Sequence, residues 1–175
     1  MMPLHIIVDG YNLIRNSTAF KELDRQDIQL GREALVEMLA AYKKVKHHKI
    51  TVVFDGADAP IFSQSHDRVK GITVRFSRAG ETADDVIKRM AAHDREKALI
   101  VSSDREIVAA AAACLAATIG AAGFEQKLFM AGADGSGNSQ EDNDVDLRPF
   151  STQKKGPRRR APKSRRRNRR RIGKL

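Results

Sequence analysis

Tryptophan is absent from this chain of 175 residues, and aromatic residues make up only 5% of it. Any core must therefore be aliphatic and rich in alanine. Cys114 is the sole cysteine, so no intramolecular disulfide can form. It lies in an alanine-rich helical pattern and reads as a small apolar side chain. No apolar run reaches the length of a membrane span. The N-terminus shows neither a charged leader nor a cleavable apolar segment, so no secretory signal and no membrane partner are expected. These features fit a reducing cytoplasm. Neither a P-loop pattern nor a glycine-rich dinucleotide fingerprint follows the first apolar run, which disfavours nucleotide-driven chemistry. Acids are missing altogether from the last 22 residues.

What is present is enough for one domain of ordinary size, with 41% hydrophobic residues. The net charge of +10 is unevenly placed. Residues 154–175 hold thirteen of the 32 Lys and Arg, and the remainder carries 19 basic against 22 acidic residues, a formal −3. A mildly acidic globule with a strongly basic tail points to a polyanionic partner. Three regions follow: a folded domain over 1–131, a Gly/Ser/acidic linker over 132–153, and a tail over 154–175. The tail is expected to be disordered, because like charges repel and almost nothing in it can be buried.

The chain is organised around its opening run, His5-Ile6-Ile7-Val8-Asp9-Gly10-Tyr11-Asn12. A short apolar run bounded by turn signals reads as a buried strand. It stops on Asp9 and Gly10, a glycine that permits a sharp turn or a close approach. Asn12 can tie the turn down or touch a substrate. Residues 17–27 read as a loop or short helix. Leu30–Lys46 has helical periodicity with Asp27 as its N-cap, and it ends in a basic cluster where His47 and His48 read as a solvated helix end. Strands are expected over 50–54, 72–76, 98–101 and 117–119. The residues between 57 and 71 read as a long connection, and loops of that length are usually functional. Helices are expected over 81–94 with Thr82 as N-cap, 105–115 and 123–130. Strands alternating with helices give an α/β fold, with a mainly parallel sheet covered on both faces.

Three strand ends, at Asp9, Asp55 and Asp104, each deliver a carboxylate. A further acidic group, Glu81, Asp84 and Asp85, opens the helix after the third strand. Each of these could be no more than a helix cap. In a parallel sheet, however, all of them converge on one edge, where ligands collect in open α/β folds. Carboxylates brought together raise one another's pKa unless a cation is present. Mg²⁺ or Mn²⁺ suits such oxygen donors, and such ions serve phosphodiester cleavage.

Ile7-Val8-Asp9-Gly10-Tyr11-Asn12 resembles the opening motif of the NYN family, ribonuclease-like domains of PIN-like fold. Phe54-Asp55-Gly56, Glu81-Thr82-Ala83-Asp84-Asp85-Val86-Ile87 and Val101-Ser102-Ser103-Asp104 follow in the order of the bacterial YacP-like branch. The resemblance covers residues 4–130. It implies a three-layer α/β/α fold and a metal-dependent endoribonuclease that leaves a 5′-phosphate and a 3′-hydroxyl. It also implies Asp9, Asp85 and Asp104 as metal ligands, with Asp84 the alternative to Asp85. Asp55 would be a further ligand or supporting group. Asp9, Asp84, Asp85 and Asp104 form the catalytic set, and Asn12 and Ser103 would orient substrate or water.

The basic tail lies outside the resemblance. Its arginines, Arg158, Arg159, Arg160, Arg165, Arg166, Arg167, Arg169, Arg170 and Arg171, are candidate RNA contacts, and ribosomal RNA is a fitting target. Such binding should weaken as salt rises. No aromatic interleaves them, so base stacking is not expected. Two other readings exist. One is a non-catalytic RNA- or ribosome-binding module on the same fold. The other is a haloacid-dehalogenase-like phosphatase, which needs a second Asp two residues after the first, where this chain has Tyr11.

Overall fold

The structure is a computed structural model that describes residues 4–58, 66–134 and 163–175. It opens on β1 (His5–Asp9), followed at once by α1 (Gly10–Asn16), α2 (Thr18–Gln26) and α3 (Ile28–Lys46). Next come β2 (Lys49–Phe54), a 3-10 turn at Gly56–Asp58, β3 (His66–Val69) and β4 (Ile72–Phe76). The second half is α4 (Ala83–Asp94), β5 (Ala98–Val101), α5 (Arg105–Ala113), β6 (Ala117–Ile119) and α6 (Ala121–Asp134). A final helix, α7, spans Lys163–Ile172.

The six strands form one sheet in the order β3-β4-β2-β1-β5-β6. Every pairing is parallel except β3 with β4. Helices cover both faces, which is why the residues of β1 and β5 are buried throughout. On one face Ile6, Val8, Val52, Phe54 and Leu99 pack with Leu13, Leu35, Leu39 and Phe124 of α1, α3 and α6. On the other, Ile7, Val53 and Ile100 pack with Val86, Ile87, Ile107 and Ala111 of α4 and α5. The result is the three-layer α/β/α fold with a mainly parallel sheet.

Two glycines are required by close packing. A Cβ on Gly10 would fall 2.3 Å from the Phe54 ring, and one on Gly56 would fall 2.0 Å from the Ser77 carbonyl oxygen. Both follow the aspartate at the end of a strand, and both let the chain turn directly against its neighbour.

Several elements differ from the sequence expectation. The chain enters α1 at Gly10 with Asp9 as N-cap, so no loop separates strand from helix. Residues expected as a loop or short helix form α2, whose Phe20 is buried. β3 lies within the stretch read as a long connection. It is an exposed edge strand, and its polarity hides it from a reading based on apolar runs. α6 is longer than expected at both ends. His47 is exposed and adopts the left-handed C-cap conformation of α3, whereas His48 is buried and meets the Lys174 carbonyl at 3.2 Å. The solvated helix end therefore holds for His47 alone.

The tail departs most. Lys163–Ile172 is helical, and Leu175 is 5% exposed inside the core on the α3 side. Asn168 Nδ2 donates to the Thr118 carbonyl at 3.1 Å, and its Oδ1 accepts the Thr118 N–H at 2.8 Å. This side chain thus satisfies backbone groups of edge strand β6 as another strand would. Tyr42 donates its hydroxyl proton to the Leu175 carbonyl at 2.9 Å. Composition alone misses such docking because its anchors, Asn168, Ile172 and Leu175, are among the few residues in this segment that are not cationic. The tail's remainder, including Arg158, Arg159 and Arg160, lies outside the described residues.

Candidate active site

The acidic edge is built from the carboxyl ends of β1 and β5 and the start of α4. Asp9 ends β1 and is 8% exposed. Its Oδ1 accepts the Asn12 N–H at 3.3 Å, and its Oδ2 accepts the Ser102 hydroxyl at 2.9 Å. Ser102 Oγ in turn accepts the Asp104 N–H at 3.1 Å. Asp104 caps α5, taking N–H groups from Glu106 at 2.7 Å and Ile107 at 3.2 Å. Caps of this kind satisfy backbone donors that a helix leaves free at its first turn.

The carboxylates feel one another. Burial pushes Asp9 up to about 6, against the hydrogen bonds from Ser102 and Asn12, and the charges of Asp84 and Asp104 push the same way. Asp84 is also raised, first by burial and then by Asp104, with Asp55 and Glu106 adding to the effect and Lys88 opposing it. Asp9, Asp84 and Asp104 thus form one electrostatic group drawn from three separate elements.

Asp85 stands apart. Its Oδ2 accepts the Thr82 N–H at 3.1 Å and the Thr82 hydroxyl at 2.8 Å, while Thr82 Oγ1 accepts the Asp85 N–H at 3.2 Å. This is a capping box. The bonds from Thr82 hold Asp85 below the usual carboxylate range. The preference for Asp85 over Asp84 as a ligand therefore runs against the geometry. Consecutive residues on a helix point about 100° apart, and Thr82 engages the second of the two.

Asp55 lies beside the group with its Oδ1 committed to structure. It accepts the Ala83 N–H at 3.1 Å and the Ser77 hydroxyl at 3.3 Å, tying the end of β2 to the start of α4. Asn12 Oδ1 accepts the Ser103 N–H at 2.8 Å, and Ser103 Oγ accepts the Ala121 N–H at 3.0 Å. These two residues clip α1, the end of β5 and the start of α6 together at the mouth of the site. Ser102 is the residue that sequence reasoning passed over. Its place directly after the apolar strand β5, within the Val101-Ser102-Ser103-Asp104 motif, was the signal that could have marked it.

Among the described residues, no three His, Cys, Asp or Glu side chains are gathered closely enough to hold a metal by themselves. The donor set nonetheless suits a hard cation that keeps most of its water. Magnesium is commonly held through one or two carboxylates, and Asp9 and Asp84, raised by burial and then by their acidic neighbours, would be eased by a cation. The chemistry of the group fits such an ion; a ready-made cage is not what it offers.

Of the tail arginines, Arg167 pairs with Glu96 at 2.7 Å, and Arg171 donates to the Leu115 carbonyl at 2.8 Å. Arg169 and Arg170 are exposed. The side chains of Arg165 and Arg166 fall outside the described residues.

The site is a sheet edge lined with carboxylates between the layers of an α/β/α fold. The family model described as the YacP-like NYN domain matches residues 6–159, and the chain belongs to that family. The protein described as "Uncharacterized protein YacP" from Bacillus subtilis (strain 168) is 31% identical over 88 residues, which is 49% of this chain and 50% of that protein. The chain thus matches about half the length of that curated relative. Two crystal structures share the fold. Rae1 (YacP) from Bacillus subtilis aligns with a TM-score of 0.63 and 23% identity, over 74% of this chain and 75% of that one. A mutant of that same protein aligns with a TM-score of 0.62 and 22% identity, over 73% and 76%. Family membership supports a nuclease-like role connected with RNA. The described residues include no helix long and apolar enough to cross a membrane.

Proposed function

We propose that this protein is a divalent-metal-dependent endoribonuclease that hydrolyses RNA phosphodiester bonds at the edge formed by Asp9, Asp84 and Asp104. One observation carries the reading. Three carboxylates from β1, α4 and α5 share one field, and the most buried of them is pushed to about 6. Carboxylates perturbed in this way cluster at functional sites.

One or two of Asp9, Asp84 and Asp104 would bind Mg²⁺ or Mn²⁺ directly, the rest through the water the ion keeps. When bound, such an ion activates water and neutralises charge developing on the phosphate. The chain's own residues do the positioning. Ser102 holds Asp9 Oδ2, the amides of Glu106 and Ile107 hold Asp104, and Asn12 fixes the Ser103 backbone. Asp85 and Asp55 set the pitch of α4 and so place Asp84. The basic tail keeps the enzyme on RNA, ribosomal RNA included, in the cytoplasm. A second reading, an RNA-binding module without turnover, draws on Arg169 and Arg170, which stand exposed on α7 and need no acidic edge.

The test is incubation of end-labelled RNA with Mg²⁺, with Mn²⁺ and with EDTA. Internal cuts that need the ion and vanish in an Asp9→Asn/Asp104→Asn double variant are expected. Cuts that persist in that variant would refute the reading. Salt-sensitive binding with no cuts, on free RNA or on ribosomes, would favour the second.

A further inference from the structure

The face of the sheet that carries α4 and α5 is only partly covered. Those helices pack over β1, β2 and β5 through Ile7, Val53 and Ile100. The outer positions toward β4 and β3 are left open. Register places Thr51 beside Thr73 and Val53 beside Arg75. It also places Arg68 opposite Thr73. Paired residues share a face, and residues two apart in a strand share it as well. Lys49, Thr51, Thr73, Arg75 and Arg68 therefore lie on this one face. Two shallow cavities of about 360 Å³ each open there, between β2, β4 and α4.

The shelf is cationic. Lys49, Arg68 and Arg78 are exposed and Arg75 is half-buried, and none of these four makes an ion pair among the described residues. Of the acids beside them, Glu81 pairs with Arg89, while Asp94 is hydrogen-bonded to His5 and His93, which offset its charge only where an imidazole is protonated. Burial of His5 keeps its pKa low, and its Nε2 takes the hydroxyl of Thr51 at 2.8 Å. Positive charge thus collects here although residues 1–153 are net acidic.

The shelf also leads to the carboxylates. It ascends β4 through Thr73 and Arg75 to Arg78. The neighbour of Arg78, Ser77, touches Asp55, which caps the turn into α4 and Asp84. No Phe, Tyr or Trp lines either cavity, and the imidazole common to both, His5, is buried, so the surface offers contacts to phosphate more than a stacking platform for bases.

We infer that this shelf, with Lys49, Arg75 and Arg78 as its main contacts and Arg68 at its rim, binds the phosphate backbone of single-stranded RNA and leads it to the acidic edge. The inference rests on the proposed nuclease reading for its direction, though not for the binding itself. Contacts of this kind position a strand without reading its sequence.

The experiment measures anisotropy of a labelled, mixed-sequence single-stranded RNA in EDTA, across a salt series, on the full chain. A Lys49→Ala/Arg75→Ala/Arg78→Ala variant is compared with Lys21→Ala/Arg25→Ala/Lys44→Ala, which removes equal charge from the α2–α3 layer. Three lost phosphate contacts should flatten the salt slope by about two, at ~0.7 per contact for single strands. Affinity at low salt should fall at least tenfold, while the control stays within about twofold of the parent. Equal binding by the two variants, both folded by circular dichroism, would overturn the shelf. Cleavage with Mg²⁺ or Mn²⁺ is scored separately. Weakened binding by the shelf variant when even the parent fails to cut would support the shelf and refute the nuclease. Cutting by the parent with unchanged shelf-variant binding would do the reverse.

Discussion

Ser102 donates its hydroxyl proton to Asp9 Oδ2 at 2.9 Å across 93 residues of sequence. Ser102 Oγ itself accepts the Asp104 N–H. One buried hydroxyl thus joins the two strand-end aspartates and favours the charged form of Asp9. In Ser102→Ala, Asp9 loses that donor and should titrate above its parental value of about 6. Carboxyl-carbon NMR of the metal-free protein over a pH range of about 4–8 reads this directly. An unchanged or lower midpoint would contradict the assigned role. Leaving these buried groups unsatisfied should also cost about 1–3 kcal/mol of stability.

Asp9 makes the fold sensitive to pH in a definite direction. Its carboxyl is raised in the folded state from 3.8 to about 6, so between those values the folded protein holds the proton more tightly than the unfolded chain. This contribution favours folding below about pH 4 and is lost as pH climbs through about 6. At ~1.4 kcal/mol per pKa unit, the loss approaches about 3 kcal/mol. Asp9→Asn cannot ionise, and it should be more stable than the parent at about pH 7.5 in EDTA, with the gain vanishing near about pH 4. Urea melts at the two pH values test this. A gain that is the same at both would show that the charge is not its source.

Adjacent aspartates on α4 should separate cleanly. Asp84→Asn should cut RNA roughly 100-fold more slowly or worse, as expected for loss of a metal-holding carboxylate, with little change in melting temperature. Asp85→Asn should keep activity within a fewfold and lose some thermal stability, because it disrupts the Thr82 capping box. Parallel cleavage assays and thermal melts decide the matter. The opposite pattern of activity would restore Asp85 as the ligand.

α7 should behave as part of the folded unit. Asn168→Ala removes both bonds to the Thr118 backbone, and about 1–3 kcal/mol of stability should go with them. Arg169→Ala, on an exposed side chain, should leave stability unchanged within about 0.5 kcal/mol. Denaturant titrations of the full chain distinguish a docked helix from a loose tail. If the two variants are equally stable, α7 does not anchor the edge.

Much of this protein was legible in its sequence, and the reason is local. Buried parallel strands write continuous apolar runs, so β1, β2, β4, β5 and β6 could be placed to within a residue or so. Asp27 and Thr82 announced the helices they cap. The acidic edge followed because a parallel sheet brings all its strand ends to one side. Tertiary structure alone decided the finer points. Asp84 and Asp85 are chemically identical, and the fold separates them by tying the second to Thr82 and half-burying the first in the field of Asp104. Asn12 and Ser103 have the chemistry of substrate contacts, yet the fold engages both in binding its own backbone. β3 and α7 carry too little apolar sequence to announce themselves, and their places come from an edge to pair with and a core pocket for Leu175. Composition and periodicity determine what a segment can bury. Which polar groups meet depends on distances that the chain sets only once it is folded.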